Sequence, residues 1–346
     1  MRAVKLVAAG RIEIQDVPIP EISETEVLVK VAGAGLCHSD LHILHQDANW
    51  PFFGTTMGHE TSGHVQAVGA DVTEVAVGDA VLVRAVWSCG GCRPCRAGRE
   101  NACAVAGSRT MFPLTPGIGA DGGMAEFIRV AAQHVDRIDG LDVVGAAPLA
   151  DAALTPMHAI NSTRSLLDEE ATAVVIGVGG LGHMALQILG ATTKAKVVAV
   201  DSDPAKLELA LRKGAAGVFD ASADVAAQVL DLTDGYGADV VYDFVGVQPT
   251  VELATRVVAP SGAVRIVGLG GGSFPFNASL EGEVLPWGVN VQRPYGGAAA
   301  DQAEVLALAR SGDIGVDTVT YPLDDAQRAF DDLEAGRISG RAVLVP

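Results

Sequence analysis

The stretch Ala173-Val174-Val175-Ile176-Gly177-Val178-Gly179-Gly180-Leu181-Gly182-His183-Met184-Ala185-Leu186-Gln187-Ile188-Leu189 decides the fold of the second half of the chain. Four apolar residues read as a buried strand, the glycines as a tight turn, and Leu181 to Leu189 as a helix. Gly177, Gly179 and Gly182 form a G-x-G-x-x-G, with Val178, Gly180 and Leu181 between them. Such a run is weak alone, but a strand before it and a helix after it supply the required context. Without Cβ atoms the backbone can approach a pyrophosphate, whose charge the helix N-terminus favours. Asp201, nineteen residues past Gly182, closes the next apolar strand, Val197 to Val200. A carboxylate there can accept both adenosine ribose hydroxyls and repels a 2′-phosphate. Ser202 follows it, not an arginine, so NAD is predicted over NADP. The alternative is an ordinary βαβ unit with no ligand. That reading leaves the glycines and the acid without a purpose.

Around this stretch, short Val/Ile runs alternate with Ala/Leu helical segments. Strands are predicted at Ala173–Ile176, Val197–Val200, Val240–Val245 and Ala263–Val267. Helices are predicted at Leu181–Leu189, Pro204–Lys213, Ala223–Leu230 and Thr250–Val258. Asp203-Pro204 is an N-cap followed by proline at the first helical position. The alternation predicts an α/β domain built on a Rossmann doubly wound parallel sheet, spanning 153–289. Upstream the chain reads as β-rich. Arg11 to Ile14 alternates, Glu26–Val31 is a strand ending at Gly33-Ala34-Gly35, and Val65–Val68 and Ala80–Val83 flank a turn at Val77-Gly78-Asp79. The tail carries helices at Asp301–Ala309 and Asp325–Glu334 and strands at Val316–Tyr321 and Arg341–Val345. Residues 1–152 and 290–346 are assigned to one domain.

At roughly 100–200 residues per domain, 346 residues suit two domains. With 24 basic and 42 acidic residues the net charge is −18, which argues against nucleic acid or an anionic membrane as partner. The apolar run from Ala173 to Ala191 holds five glycines, His183 and Gln187, so it is not read as a membrane span. Arg11 and Glu13 interrupt the N-terminal segment before a secretory h-region can form, and a cytoplasmic location is expected. Reduced thiols fit that compartment.

The five cysteines are Cys37, Cys89, Cys92, Cys95 and Cys103. An odd number, with four inside fifteen residues, suits metal better than disulfides. Cys89, Cys92, Cys95 and Cys103 offer four soft ligands, a closed shell typical of structural zinc. An iron–sulfur cluster is the alternative. Cys37 stands apart in Gly35-Leu36-Cys37-His38-Ser39-Asp40. His59 follows twenty-two residues on, in Gly58-His59-Glu60. A lone buried cysteine or histidine is more often core than ligand.

The order of these motifs, Cys-His-Ser-Asp, then Gly-His-Glu, then a four-cysteine lobe, then the nucleotide fold, resembles the zinc-containing alcohol dehydrogenases of the medium-chain dehydrogenase/reductase superfamily. The similarity runs from the first strand to Ser339-Gly340-Arg341-Ala342-Val343-Leu344-Val345. Ala147-Pro148-Leu149-Ala150-Asp151-Ala152-Ala153-Leu154-Thr155-Pro156 is similar to bacterial NAD-dependent secondary alcohol dehydrogenases. The resemblance implies that the β-rich domain is GroES-like and catalytic, and that each subunit holds two zinc ions, one catalytic and one structural. It also implies a homotetramer. Many relatives hold the catalytic zinc through Cys, His and a second Cys. Here no second cysteine remains, and Asp151 stands at that position. Cys37, His59 and Asp151 are therefore predicted as ligands, with Glu60 as a rival that lies behind the metal. A simple helix N-cap is the alternative role for Asp151.

Further roles follow from the resemblance alone. Ser39 matches the residue that accepts the alcohol proton, and His42 the histidine that passes it to solvent. Asp40 matches a carboxylate that orients His59. His38 and Arg341 match pyrophosphate contacts, Lys206 a ribose contact and Thr155 a nicotinamide contact. Val245, at the end of its strand, is also placed on the cofactor. Trp50, Phe52 and Trp87 match pocket walls, and Trp287 and Tyr295 are candidates for the far side. This predicts reversible oxidation of a secondary or aromatic alcohol to its ketone or aldehyde. A polyol dehydrogenase and a non-catalytic NAD- and zinc-binding scaffold are the alternatives.

Overall fold

The computed structural model describes residues 1–274 and 285–346, and divides the chain into two compact units. One comprises Met1–Leu154 with Gly296–Pro346, the other Thr155–Tyr295.

The second unit is a parallel sheet in the order Gly217–Asp220, Lys196–Asp201, Thr172–Ile176, Ala238–Asp243, Val258–Ile266, Asn290–Gln292. In sequence order that is 3-2-1-4-5-6, the doubly wound arrangement in which a dinucleotide lies at the reversal between strands 1 and 4. The strands are near-continuous Val/Ile/Ala runs because helices cover both faces of such a sheet. Val174, Val198, Val241 and Val264 pack there with Val229 and Ala254 of the helices. The weakly apolar strands Gly217–Asp220 and Asn290–Gln292 carry no clear period and were not anticipated. Asn290–Gln292 pairs with Val258–Ile266, so the unit extends past residue 290, to Tyr295.

The first unit is built on a mainly antiparallel sheet. Its order is Thr318–Pro322, Arg341–Val345, Glu26–Leu36, Glu60–Val68, Ala80–Val83, Val135–Arg137, with Phe127–Ala131 also paired to Glu26–Leu36. The long strand does not stop at its glycines. It runs through Gly33 and Gly35 to Leu36, and Gly35 pairs with Glu60 on one side and Val343 on the other. A Cβ on Gly35 would sit 2.9 Å from the Glu60 Cβ and collide with its carboxylate. The missing side chain makes room for Glu60; it does not mark a turn. No helix among the described residues is long and apolar enough to cross a membrane.

Candidate active site

In the first unit, Cys37 caps the helix His38–Leu44, and its N–H donates to Asp40 Oδ2 at 2.8 Å. Asp40 is fully buried. Its other oxygen lies 3.4 Å from Nδ1 of His59. Nδ1 therefore faces Asp40, and Nε2 is left to face the cluster. Asp151 ends the single turn Ala147–Ala150. Asp151 Oδ2 lies 3.5 Å from Cys37 Sγ and 3.6 Å from His59 Nε2. Ligating atoms of Cys37, His59, Glu60 and Asp151 all fall within 4.8 Å of one another. Burial opposes protonation of His59, but Asp40, Asp151 and Cys37 together hold its pKa well above the ordinary value. A pocket with one thiol, one imidazole and carboxylates is thus built to receive positive charge. The donor set suits a zinc with one position left open.

Behind this cluster, Arg341 Nε donates to Glu60 at 3.1 and 3.0 Å, and its Nη2 pairs with the same carboxylate. Nη2 also lies 3.5 Å from Asp151 Oδ2. Arg341 is 3% exposed and Glu60 0%. Within its unit Arg341 thus pairs with the two carboxylates of the cluster. The cause is register. Ala342 pairs with Leu36, which sets Arg341 beside Cys37.

Ser39 is half-buried with its Oγ 3.6 Å from Cys37 Sγ, while His38 and His42 are exposed. Ser39 and His42 are three apart on one helix, so they share a face. Trp50 and Phe52 meet edge to face at 5.3 Å. Trp50 packs on the core of its unit. The Trp87 ring stacks on His134 at 6.2 Å, its Nε1 donates to Arg84 O, and it lines a 690 Å³ cavity that includes none of the Cys37 cluster. Trp287 is 78% exposed. Tyr295 is half-buried.

Cys89, Cys92, Cys95 and Cys103 converge. Cys92 lies 3.3 Å from Cys95 and 3.8 Å from Cys103, and Cys89 4.0 Å from Cys95, sulfur to sulfur. Ligands at ~2.3 Å in a tetrahedron would be about 3.8 Å apart. Burial opposes ionisation of Cys103, but the N–H groups of Ala106 and Cys89 at 3.3 Å lower its pKa. The lobe is formed for a closed zinc site.

In the second unit Gly177 ends its strand with φ +87°, a conformation that favours glycine, and a Cβ there would strike Val245 Cγ2 at 2.5 Å. Val245 is thus at the reversal of strand order, partly exposed. A Cβ on Gly179 would meet nothing within 4 Å, which leaves open space over the loop. The helix Gly182–Thr192 starts at Leu181 with no side-chain cap. His183 N donates to Gly179 O at 3.1 Å, and the turn at this helix N-terminus favours an anion. Asp201 accepts from Val178 N at 2.7 Å and Asp203 N at 3.0 Å, tying the acid to the glycine loop. Gly180 is half-buried in that loop, and Lys206 half-buried on Pro204–Arg212. Thr155 is buried on Leu154–Asn161. The loop fits a dinucleotide.

Residues 23–140 match the alcohol dehydrogenase GroES-like domain, and residues 180–311 match the zinc-binding dehydrogenase domain. An NAD-dependent alcohol dehydrogenase from Sulfurisphaera tokodaii is 34% identical, with 100% of both chains covered. The chain belongs to the medium-chain, zinc-containing alcohol dehydrogenase family. Among solved members, the alcohol dehydrogenase of Aeropyrum pernix superposes with a TM-score of 0.90 at 34% identity, covering 100% of both chains. Acetophenone reductase from Geotrichum candidum, solved with NAD, gives a TM-score of 0.86 at 31% identity over 100% of this chain and 97% of its own. What sequence reasoning missed in this alcohol dehydrogenase fold is the Arg341–Glu60 pair. Its partners are 281 residues apart, and no local pattern marks them.

Proposed function

We propose that the protein is an NAD-dependent, zinc-containing alcohol dehydrogenase that interconverts a secondary or aromatic alcohol and its ketone or aldehyde. The convergence of Cys37, His59 and Asp151 carries this reading, since three such donors leave a fourth position for an alcohol oxygen. A zinc there supplies Lewis-acid polarisation, and NAD supplies the hydride acceptor. Asp40 fixes the His59 tautomer so that Nε2 faces the metal position. Ser39 receives the alcohol proton, and His42, on the same helical face and exposed, passes it to solvent. Gly177, Gly179, Gly180, Leu181 and Gly182 hold the pyrophosphate, Asp201 the adenosine ribose. His38, Lys206, Thr155 and Val245 complete the cofactor contacts. Cys89, Cys92, Cys95 and Cys103 hold a second, structural zinc. Relatives named for NAD-dependent alcohol oxidation and for acetophenone reduction support the substrate class. The family resemblance supports a cytoplasmic homotetramer.

Purified protein with NAD and 1-phenylethanol or 2-octanol is expected to generate reduced cofactor, followed by absorbance, and to lose activity on chelation. Equal or better kcat/KM for sorbitol would move the assignment to a polyol dehydrogenase. Silence across a broad alcohol panel would move it to a scaffold. Asp201→Ala is expected to raise KM for NAD and to narrow the NAD over NADP preference in kcat/KM by about tenfold, ~1.4 kcal/mol of discrimination. No change in either would remove its role.

A further inference from the structure

Between the four-cysteine lobe and the turn that carries Asp151 lies a small cavity of about 20 Å³, lined by Arg84, Ser88, Glu100, His134 and Gln302 and by apolar residues such as Val86 and Leu154. A cavity needs at least ~10–15 Å³ to hold one water. Two acceptors reach this region without a hydrogen-bond partner among the described residues, Glu100 Oε2 and Gln302 Oε1, and both atoms are buried. Gln302 is 1% exposed. No side chain lining the cavity hydrogen-bonds either atom, although the charge of Arg84 faces Glu100. Arg84 grips Asp136 with Nε at 2.7 Å and Nη2 at 2.6 Å. The His134 imidazole is neutral, its pKa brought down to about 4 by burial and by Arg84. Two unmet acceptors beside a water-sized space call for a molecule that donates twice, which a water does.

Each end of that bridge leads to a metal cluster. Glu100 opens the short helix Glu100–Ala102, which is followed directly by Cys103. Gln302, on the helix Ala299–Ser311, donates from Nε2 to Leu149 O at 3.3 Å. Leu149 belongs to the turn Ala147–Ala150, whose C-cap is Asp151. We propose that Gln302 is a positioning residue for Asp151, and that one buried water between its amide oxygen and Glu100 couples the four-cysteine lobe to the catalytic metal centre. This rests on Asp151 being a metal ligand.

The test uses the full-length protein with zinc in the lobe and cobalt in the catalytic position. Gln302→Leu is expected to weaken catalytic-metal affinity by about 10–100-fold, to shift the cobalt d–d absorption, and to leave the lobe zinc in place. A purely structural role would lower the melting temperature and move neither metal readout. Glu100→Leu removes the lobe end of the bridge, together with the carboxylate charge that faces Arg84. It is expected to shift the cobalt band by a smaller amount, and it serves as the test should Gln302→Leu fail to fold. Glu100→Gln, which keeps a polar reach to Gln302, should restore the wild-type band. Unchanged affinity and spectrum in folded Gln302→Leu, or an unshifted band in Glu100→Leu, would overturn the proposal. So would a high-resolution crystal structure with no water between the two side chains. If Asp151→Ala also leaves the catalytic metal in place, the ligand assignment itself fails. Loss of metal in Asp151→Ala with no effect of Gln302→Leu sinks only the coupling.

Discussion

Replacing Asp151 by alanine is expected to lower bound zinc from the proposed two per subunit toward one, and to cut kcat/KM by at least ~100-fold. Loss of an outer partner of a metal site typically costs about 10–100-fold, and Asp151 is proposed to touch the ion itself. The geometry explains why neighbours would not compensate. Asp151 Oδ2 is the oxygen that lies 3.5 Å from Cys37 Sγ and 3.6 Å from His59 Nε2. Glu60, the other carboxylate in reach, is held by the buried Arg341 fork. The lobe zinc should remain, because its four cysteines lie in a separate cluster. Metal analysis and steady-state kinetics check this. Unchanged zinc and kcat would transfer the third ligand position to Glu60.

Arg341→Met is expected to destabilise the catalytic unit by about 3–5 kcal/mol, the cost of leaving one partner of a buried ion pair uncompensated. Arg341 and Glu60 are both buried, so solvent cannot rescue the carboxylate charge left unpaired. Burial raises the pKa of Glu60, and Arg341 pulls it back down. Removing the arginine leaves burial and the Asp151 charge opposed only by His59, and lifts the folded-state value further above that of the unfolded chain. A group raised in this way favours folding at pH values below its unfolded pKa, and that contribution is lost as pH rises through the folded value. The variant should therefore lose stability on going from acid toward neutral pH relative to the parent. The double variant Arg341→Met/Glu60→Gln should recover most of the loss, because the amide carries no charge to strand. Denaturant midpoints across pH provide the measurement. A single variant as stable as the parent would mean that the pair contributes nothing net.

The nucleotide unit was readable because its signals are local. The run from Ala173 to Leu189 switches from strand to glycine turn to helix within one segment, and Asp201 closes the next strand. Buried parallel strands need apolar runs, and those runs are visible in any order of assembly. Cysteine spacing is equally local, and it separates the four lobe residues from Cys37. The two unforeseen strands, Gly217–Asp220 and Asn290–Gln292, are short, mixed in polarity and defined by their neighbours rather than by their own pattern.

What only the tertiary structure decided is which distant side chains meet. The sheet register that sets Ala342 against Leu36 and Gly35 between Glu60 and Val343 brings Arg341 onto Glu60 and toward Asp151. It also turns Gly35 from a supposed strand end into the space a carboxylate occupies. Trp87 is turned onto His134, and Gln302 reaches Leu149 across 153 positions of chain. Local periodicity specifies where strands and helices form. Pairing across a sheet depends on long-range register, and a shift of one residue would send Arg341 and Glu60 to the opposite face.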